Sequence, residues 1–184
     1  SPDGNKPLVL SGRLVEQANR RLRETGRYVL EVCRPGGMKR FGDGFKLTIR
    51  VRLMHAQVRR LLLQRAGWDV GYYGLPINQV YLAATNVLFS AIFLDGLGRI
   101  GVSTSRAEKA DLVALWRYAG SLMGVAPALG AANYDEALKV GRMVTELQSQ
   151  PDDDSRALVH ALMEGALKAQ VEADLVERVS GLCY

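Results

Sequence analysis

Apolar side chains recur at the spacing of an α-helix along almost the whole chain, and clusters of glycine and proline interrupt the pattern. No stretch shows the strict alternation of apolar and polar residues typical of a half-buried strand, and no internal repeat is found. The sequence therefore predicts an all-α fold of about six helices. The predicted helices run from about residue 14 to Cys33, Phe45 to Arg65, Ile77 to Leu97, Ser105 to about Gly124, Tyr134 to Gln148, and about Ser155 to Val179.

Residue types that start and stop helices mark the boundaries of these segments. A Pro-Gly-Gly sequence at residues 35–37 ends the first helix, and Gly67 is expected to stop the second. Pro76 suits the first turn of the third helix, where its missing N–H costs nothing. Ser105 and Glu108 have the spacing of a capping box, which predicts the start of the fourth.

The composition is that of an ordinary globular domain. The 184 residues are 48% apolar and 23% charged, and a chain of this size buries enough surface to fold without disulfides or a structural metal. We expect one domain over residues 1–184. The most apolar stretch, Val80 to Leu94, is interrupted by Thr85, Asn86 and Ser90, so no membrane span is predicted.

The positive charge is concentrated in the first third of the chain. Residues 1–66 contain 15 Lys and Arg and 5 Asp and Glu, whereas residues 67–184 contain 9 and 14. Clustered basic side chains suit either a nucleic-acid surface or the anionic groups of a buried ligand. No aromatic stacking platform is interleaved with the arginines, so no nucleic-acid partner is predicted.

Metal-ligating residue types are scarce. The two cysteines, Cys33 and Cys183, have neither zinc spacing nor a haem-attachment motif, and a disulfide between them stays open. The two histidines, His55 and His160, exclude a three-histidine metal centre. Haem is the metal chemistry that a single histidine can support, because the porphyrin supplies four iron ligands. The chain begins without the apolar segment of a signal peptide, so its compartment stays open.

His55 is the candidate iron ligand because of the residues that share its helix face. Arg52 and Arg59 lie one turn to either side, and Val51 and Val58 supply apolar neighbours. A haem-binding site needs a side chain that ligates the iron, apolar side chains around the porphyrin, and cations that pair with the propionates. The alternative is a half-buried structural histidine beside surface arginines.

The first helix carries a second group of polar residues. Arg21 and Thr25 share one face, and Tyr28 follows one turn later. A guanidinium and a hydroxyl on one face could hydrogen-bond dioxygen or a developing oxyanion. The alternative is a solvated arginine face, because Arg20, Arg23 and Arg27 crowd the same helix.

Four segments together carry a family resemblance. They are residues 50–60 around His55, Trp68-Asp69, the Gly-Leu-Pro-Ile-Asn-Gln sequence at 74–79, and residues 93–101. In this combination the chain, from about Arg13 to Val125, resembles the latex clearing proteins. These are bacterial rubber oxygenases, grouped with a broader oxygenase family that includes the fungal enzyme trimming the prenyl chain of a mycophenolic acid precursor.

The resemblance implies a globin-like helical core that holds one non-covalent haem b. It assigns His55 as the proximal iron ligand, Arg52 and Arg59 as the arginines around it, and Arg21 with Thr25 as the distal pair. It further implies that dioxygen is the co-substrate and that a carbon–carbon double bond of polyisoprene or another apolar alkene is cleaved to aldehyde and ketone ends. The second ring nitrogen of His55 is expected to donate to a carbonyl or carboxylate.

Other expectations concern the substrate path and the departures from the family. An apolar channel is expected along the third helix, at Leu82, Val87, Leu88 and Phe89, with packed core as the alternative.

Glu24 stands where some latex clearing proteins have a lysine, and a catalytic glutamate upstream is matched here only by Asp3. The chain is also shorter than the resemblance leads us to expect, with sequence missing before the first helix. The second function hypothesis is therefore a haem-carrying or haem-free helical binding protein that keeps the scaffold without the reaction. The family resemblance is compatible with secretion.

Overall fold

The structure is a computed structural model that describes residues 4–7, 18–64 and 67–165. Over these ranges the chain forms helices, turns and loops and no strand, which confirms the all-α prediction. One helical turn lies between α2 and α3, at Val70–Tyr73, and a short 3-10 turn, Pro127–Leu129, follows α4. The main helices are α1 (Ala18–Cys33), α2 (Asp43–Gln64), α3 (Gln79–Arg99), α4 (Arg106–Met123), α5 (Tyr134–Glu146) and α6 (153–165).

Side-chain caps set the helix boundaries, as the sequence rules lead us to expect. The capping box of α4 is present, since Ser105 accepts from the Glu108 N–H while the Glu108 carboxylate accepts from the Ser105 N–H. The third helix begins at Gln79, two residues later than predicted. Asn78 caps it, and Ile77 has a φ of +52°, which takes it out of the helical region. The predicted start of the first helix and end of the last lie outside the described residues.

α3 contains a π-helical segment, Leu88–Ile92, that the periodicity did not predict. In a π turn, some carbonyl groups lose the N–H partner that they would have in a regular α-helix. The buried Ser90 hydroxyl lies 3.0 Å from the carbonyl of Asn86 and 3.4 Å from that of Val87. The same segment carries Phe89, whose ring stacks on Trp116 of α4 at 5.0 Å.

The core is built around α3 and α4. One cluster joins Val87, Ala91, Val113 and Ala137, from α3, α4 and α5. A second joins Val32, Trp116 and Ala119, between α1 and α4, and a third joins Leu82 and Ala83 to Val125. Alanines at these positions let the helix axes approach closely.

The expected channel along α3 is not what the structure shows. Leu82 and Val87 are buried core residues, and Phe89 packs against the second cluster. Leu88 is 51% exposed and points away from the core. The packed-core interpretation therefore holds for three of the four residues, and the channel prediction is wrong for this helix.

By length and composition, α3 could cross a membrane, although only 33% of its most apolar window is buried within the protein. The core helix of a globular domain meets the same two criteria. Leu82, Ala83, Val87 and Ala91 pack against neighbouring helices in this structure. The absence of a span stays a prediction from the polar interruptions of the sequence.

Candidate functional site

The site is positioned by the antiparallel pairing of α1 and α2. The loop after α1 returns the chain so tightly that a Cβ on Gly44 would lie 2.6 Å from the carbonyl oxygen of Glu31. One turn further, the hydroxyls of Tyr28 and Thr48 are 3.2 Å apart. Seven residues, or two helical turns, separate Tyr28 from Arg21 and Thr48 from His55. This register brings Arg21 opposite His55.

His55 is a half-buried, uncharged imidazole with an unused nitrogen. Burial, together with the positive charges of Arg59 and Arg21, lowers its pKa to about 4, so the ring is neutral at pH 7. Its Nδ1 atom is buried and has no hydrogen-bond partner in the described part of the chain. The expected donation from the second ring nitrogen is therefore not made through Nδ1. An unpartnered buried nitrogen is costly. The indole N–H of Trp116 is also buried without a partner among the described residues, but it can only donate, whereas the imidazole of His55 can ligate a metal.

Arg21 differs from the other arginines of α1. It is half-buried and burial lowers its pKa, whereas Arg23 and Arg27 are exposed. Arg20 forms a surface ion pair with Glu24 at 2.8 Å. The solvated-face interpretation is thus correct for the three neighbours and wrong for Arg21.

The other predicted members of the distal group lie elsewhere. Thr25 is exposed, and Glu24, which replaces the family's lysine, is held at the surface by Arg20. Asp3 and Cys183 lie outside the described residues, while Cys33 is a free thiol. Of the predicted distal pair, only Arg21 is directed towards His55 by the helix register.

Arg59 and Arg52 bind backbone carbonyls. The Nε and Nη2 atoms of Arg59 donate to the carbonyls of Pro76 and Ile77, at 3.1 and 2.9 Å. Arg52 donates from Nη1 to the carbonyl of Leu122 at 2.9 Å, at the carboxyl end of α4. The predicted contact of both arginines with propionates stays a prediction, and in the structure they connect α2 to the rest of the fold.

The motif residues between Trp68 and Gln79 build one turn and attach it to the loop after α4. Trp68 donates from its indole N–H to the carbonyl of Gly74 at 2.9 Å. The Gln79 side chain donates to the carbonyl of Gly124 and accepts from the N–H of Ala126, at 2.9 and 2.8 Å. Asp69 caps the helical turn at Val70–Tyr73. These roles were not predicted from the sequence, although polar side chains beside Gly and Pro are the usual signal for them.

A separate cavity of about 430 Å³ lies at the opposite end of α1. Its lining includes Val32, Cys33, Met38 and Leu115. Twelve residues separate Cys33 from Arg21, which is about 18 Å along a helix. This cavity therefore does not belong to the His55 site. Among residues 4–7, 18–64 and 67–165, no group of three or more His, Cys, Asp and Glu side chains could hold a metal ion.

The arrangement at His55 supports two kinds of chemistry. A neutral imidazole can ligate a transition metal or transfer a proton, and the guanidinium of Arg21 can hydrogen-bond an anionic or strongly polarised oxygen. Because His55 belongs to no group of three or more metal-ligating side chains in the described part of the chain, any metal that it ligates would need its other ligands from a pre-formed group.

Known proteins with a similar sequence indicate the family of this chain. The chain is 22% identical over 142 residues to the rubber oxygenase of Streptomyces sp. (strain K30), which covers 76% of this chain and 34% of that protein. The chain thus spans about a third of the length of this relative. No solved structure matches, so the globin-like comparison stays a prediction. The family model described as "ER-bound oxygenase mpaB/B'/Rubber oxygenase, catalytic domain" matches residues 4–183, and the chain therefore belongs to this oxygenase family.

Proposed function

We propose that this domain is a haem b-dependent dioxygenase that cleaves a carbon–carbon double bond of an apolar isoprenoid alkene, and that His55 would hold the haem iron. The observation that carries the proposal is the unpartnered, buried Nδ1 of a neutral His55. The other polar side chains described from the motif hydrogen-bond to backbone groups. The substrate class comes from the family and from the relative named as a rubber oxygenase.

The residues present fit a haem. An iron ligand must be a deprotonated ring nitrogen, and the low pKa of His55 keeps the ring neutral without a proton-accepting partner. The positive charges of Arg59 and Arg21 lie close enough to influence the ring, and cations also favour the propionates of a haem. A bound haem would supply the activation of dioxygen, which no amino-acid side chain provides.

The side chains and helices of this protein would hold the cofactor, donate hydrogen bonds and limit the access of water. His55 would hold the cofactor, and Arg59 fixes the α2 segment that carries it by anchoring the turn at Pro76 and Ile77. Arg21 would donate hydrogen bonds to oxygen and stabilise negative charge as it develops. The helices α1 and α2, closed by the contact between Glu31 and Gly44, would limit access of water to one end of the site. Both atoms of dioxygen enter the products, one in each carbonyl group.

One observation favours the alternative of a helical binding protein without the reaction. Thr25 is exposed, and Glu24 is held in a surface ion pair, so the distal polar group is reduced to Arg21. A haem held by His55 with a single distal donor would still bind small ligands. An oxygenase forms cleavage products from an alkene and dioxygen, whereas a binding protein does not, so a product assay distinguishes the two functions.

The first test is haem binding by absorption spectroscopy, with His55→Ala compared against a matched variant. His160→Ala is the control, because His160 is exposed and pairs with Glu164 at 3.5 Å on α6. We expect one haem per chain and a Soret band that shifts or disappears in His55→Ala and is unchanged in His160→Ala. Equal spectra for His55→Ala and the wild type would overturn the assignment of the ligand.

The second test is cleavage of a short cis-isoprenoid by the haem-loaded protein under ¹⁸O₂. We expect aldehyde and ketone products that each carry one labelled oxygen. Arg21→Gln should retain the haem and lose roughly 100-fold in turnover, as expected for loss of a donor to developing charge. Haem binding with no cleavage by the wild type would favour the binding-protein alternative.

A further inference from the structure

We propose that Tyr28 is a positioning residue of this site: its hydroxyl, hydrogen-bonded to Thr48, fixes the rotation and register of α1 on α2 and so holds Arg21 opposite His55. The inference rests on the proposed function for its catalytic meaning, but the placement of Arg21 is a property of the protein alone.

The direction of the hydrogen bond follows from the surroundings of Thr48. Its side chain is fully buried, and its hydroxyl donates to the carbonyl of Gly44 at 2.7 Å. A hydroxyl has one proton, so Thr48 must accept the bond from Tyr28 at 3.2 Å. The Tyr28 hydroxyl therefore donates to a lone pair of the Thr48 oxygen, and its removal leaves that lone pair buried without a donor among the described residues.

The Tyr28 ring is held on its other side by aromatic contacts. It meets Trp116 of α4 edge-on, with ring centroids 6.0 Å apart and planes at 76°. Trp116 in turn stacks on Phe89 in the π-helical segment of α3. The ring is thus fixed against α4 and the hydroxyl against α2, so that Tyr28 determines how α1 is oriented between them.

Arg21 depends on this orientation because of its place along α1. Residues 22–27 are exposed, so Tyr28 is the next residue after Arg21 that turns inward. The two are seven residues apart and share a helix face, as do Thr48 and His55. A rotation of α1 at Tyr28 would carry the guanidinium of Arg21 away from His55 by the same angle.

The test in the haem-free protein uses Tyr28→Phe, which keeps the ring contact with Trp116 and removes only the hydroxyl. The chain has two histidines, so His55→Gln assigns the ring proton resonances of His55 in an NMR spectrum at pH 7.5. We expect Tyr28→Phe to shift these resonances in the direction that Arg21→Gln shifts them, with those of His160 unchanged. A lower melting temperature with unmoved His55 resonances would refute the proposal and leave Tyr28 a purely structural residue.

Matched variants make the result specific. Thr48→Val removes the acceptor and should reproduce the shift of Tyr28→Phe, with no further change in the double variant. Thr48→Ser keeps the hydroxyl and should restore the wild-type resonances. Tyr118→Phe, at a tyrosine of α4 that is 45% exposed, should have no effect on His55. A shift in Tyr118→Phe equal to that in Tyr28→Phe would also refute a role specific to Tyr28.

In the haem-loaded protein, the measurement is turnover, and the effect of Tyr28→Phe is compared with Arg21 present and with Arg21 replaced by Gln. Tyr28→Phe should leave the Soret band in place and lower turnover roughly fivefold, because loss of the hydroxyl lets α1 rotate and misplaces the Arg21 donor. In an Arg21→Gln background the same substitution should have no further effect. If the protein binds no haem, the proposed function fails, while the NMR comparison still decides whether Tyr28 positions Arg21.

Discussion

The neutral state of His55 predicts a loss of stability when the haem-free protein is acidified. The pKa of His55 is about 4 in the folded protein against an ordinary value of 6.5. Between these values the unfolded chain binds a proton on this histidine and the folded protein does not, so unfolding becomes easier as the pH falls. The stabilisation is complete above pH 6.5 and is lost as the pH falls to about 4.

The size of the effect follows from the two pKa values. At about 1.36 kcal/mol per pH unit, the interval from 6.5 to 4 corresponds to about 3 kcal/mol. Solvent reaches a half-buried ring and screens part of this energy, so we expect about 2 kcal/mol in the measurement. That is a substantial share of the roughly 5–15 kcal/mol that stabilises a typical domain.

The assay is urea unfolding of the haem-free protein at a series of pH values from 7.5 to 4, for the wild type, His55→Gln and His160→Gln. Carboxylates titrate in all three proteins, so the difference between wild type and His55→Gln isolates the histidine. We expect that difference to change by about 2 kcal/mol over the series, and His160→Gln controls for the loss of an exposed histidine. Parallel curves for wild type and His55→Gln would show that His55 is not held neutral by its surroundings.

Three further predictions concern the packing that positions the site. Gly44→Ala should destabilise the protein by about 1–3 kcal/mol in urea unfolding, because its Cβ would collide with the carbonyl of Glu31, whereas Gly26→Ala, in open space on α1, should stabilise it by about 0.5–1 kcal/mol. Arg59→Lys should lower the free energy of unfolding by about 1–3 kcal/mol, because lysine cannot form both hydrogen bonds to the carbonyls of Pro76 and Ile77. A loss of haem affinity at unchanged stability would instead support a contact of Arg59 with a propionate. Gln79→Ala should cost about 1 kcal/mol in the same assay, and an unchanged unfolding midpoint would show that its bridge to the end of α4 contributes nothing.

Local sequence signals predicted the helices well because each boundary has a local cause. The capping box at Ser105 and the end of α4 near Gly124 were both predicted, and both act through neighbouring backbone groups. Gly124 ends the helix in the left-handed conformation. The π-helical segment, Leu88–Ile92, was not predictable in this way. Its side chain Phe89 stacks on Trp116, which is 27 residues away in the chain, so a local sequence signal does not include this contact.

The site was predicted in part, and the errors have one physical origin. Helix spacing groups residues on a face but does not say what the face meets. It put Arg21 and Thr25 together, whereas in the structure Arg21 is half-buried and Thr25 is exposed. It also placed Arg52 and Arg59 beside His55 without showing that backbone carbonyls of distant segments would engage both guanidinium groups.

Most of the motif residues that carry the family resemblance therefore have a structural role, because they fix the position of the helix that carries His55. Arg59, Trp68 and Gln79 form hydrogen bonds to backbone groups of the turn and of the loop after α4. These bonds fix α2 relative to α3 and α4, whereas the buried Nδ1 of His55 has no hydrogen-bond partner in the described structure, as is also true of the indole N–H of Trp116 in the core. A fold that satisfies the surrounding polar groups and leaves one imidazole nitrogen unsatisfied is less stable than one that satisfies them all. Such a cost is expected at a site that a ligand completes, because binding then recovers the energy that the free protein lacks.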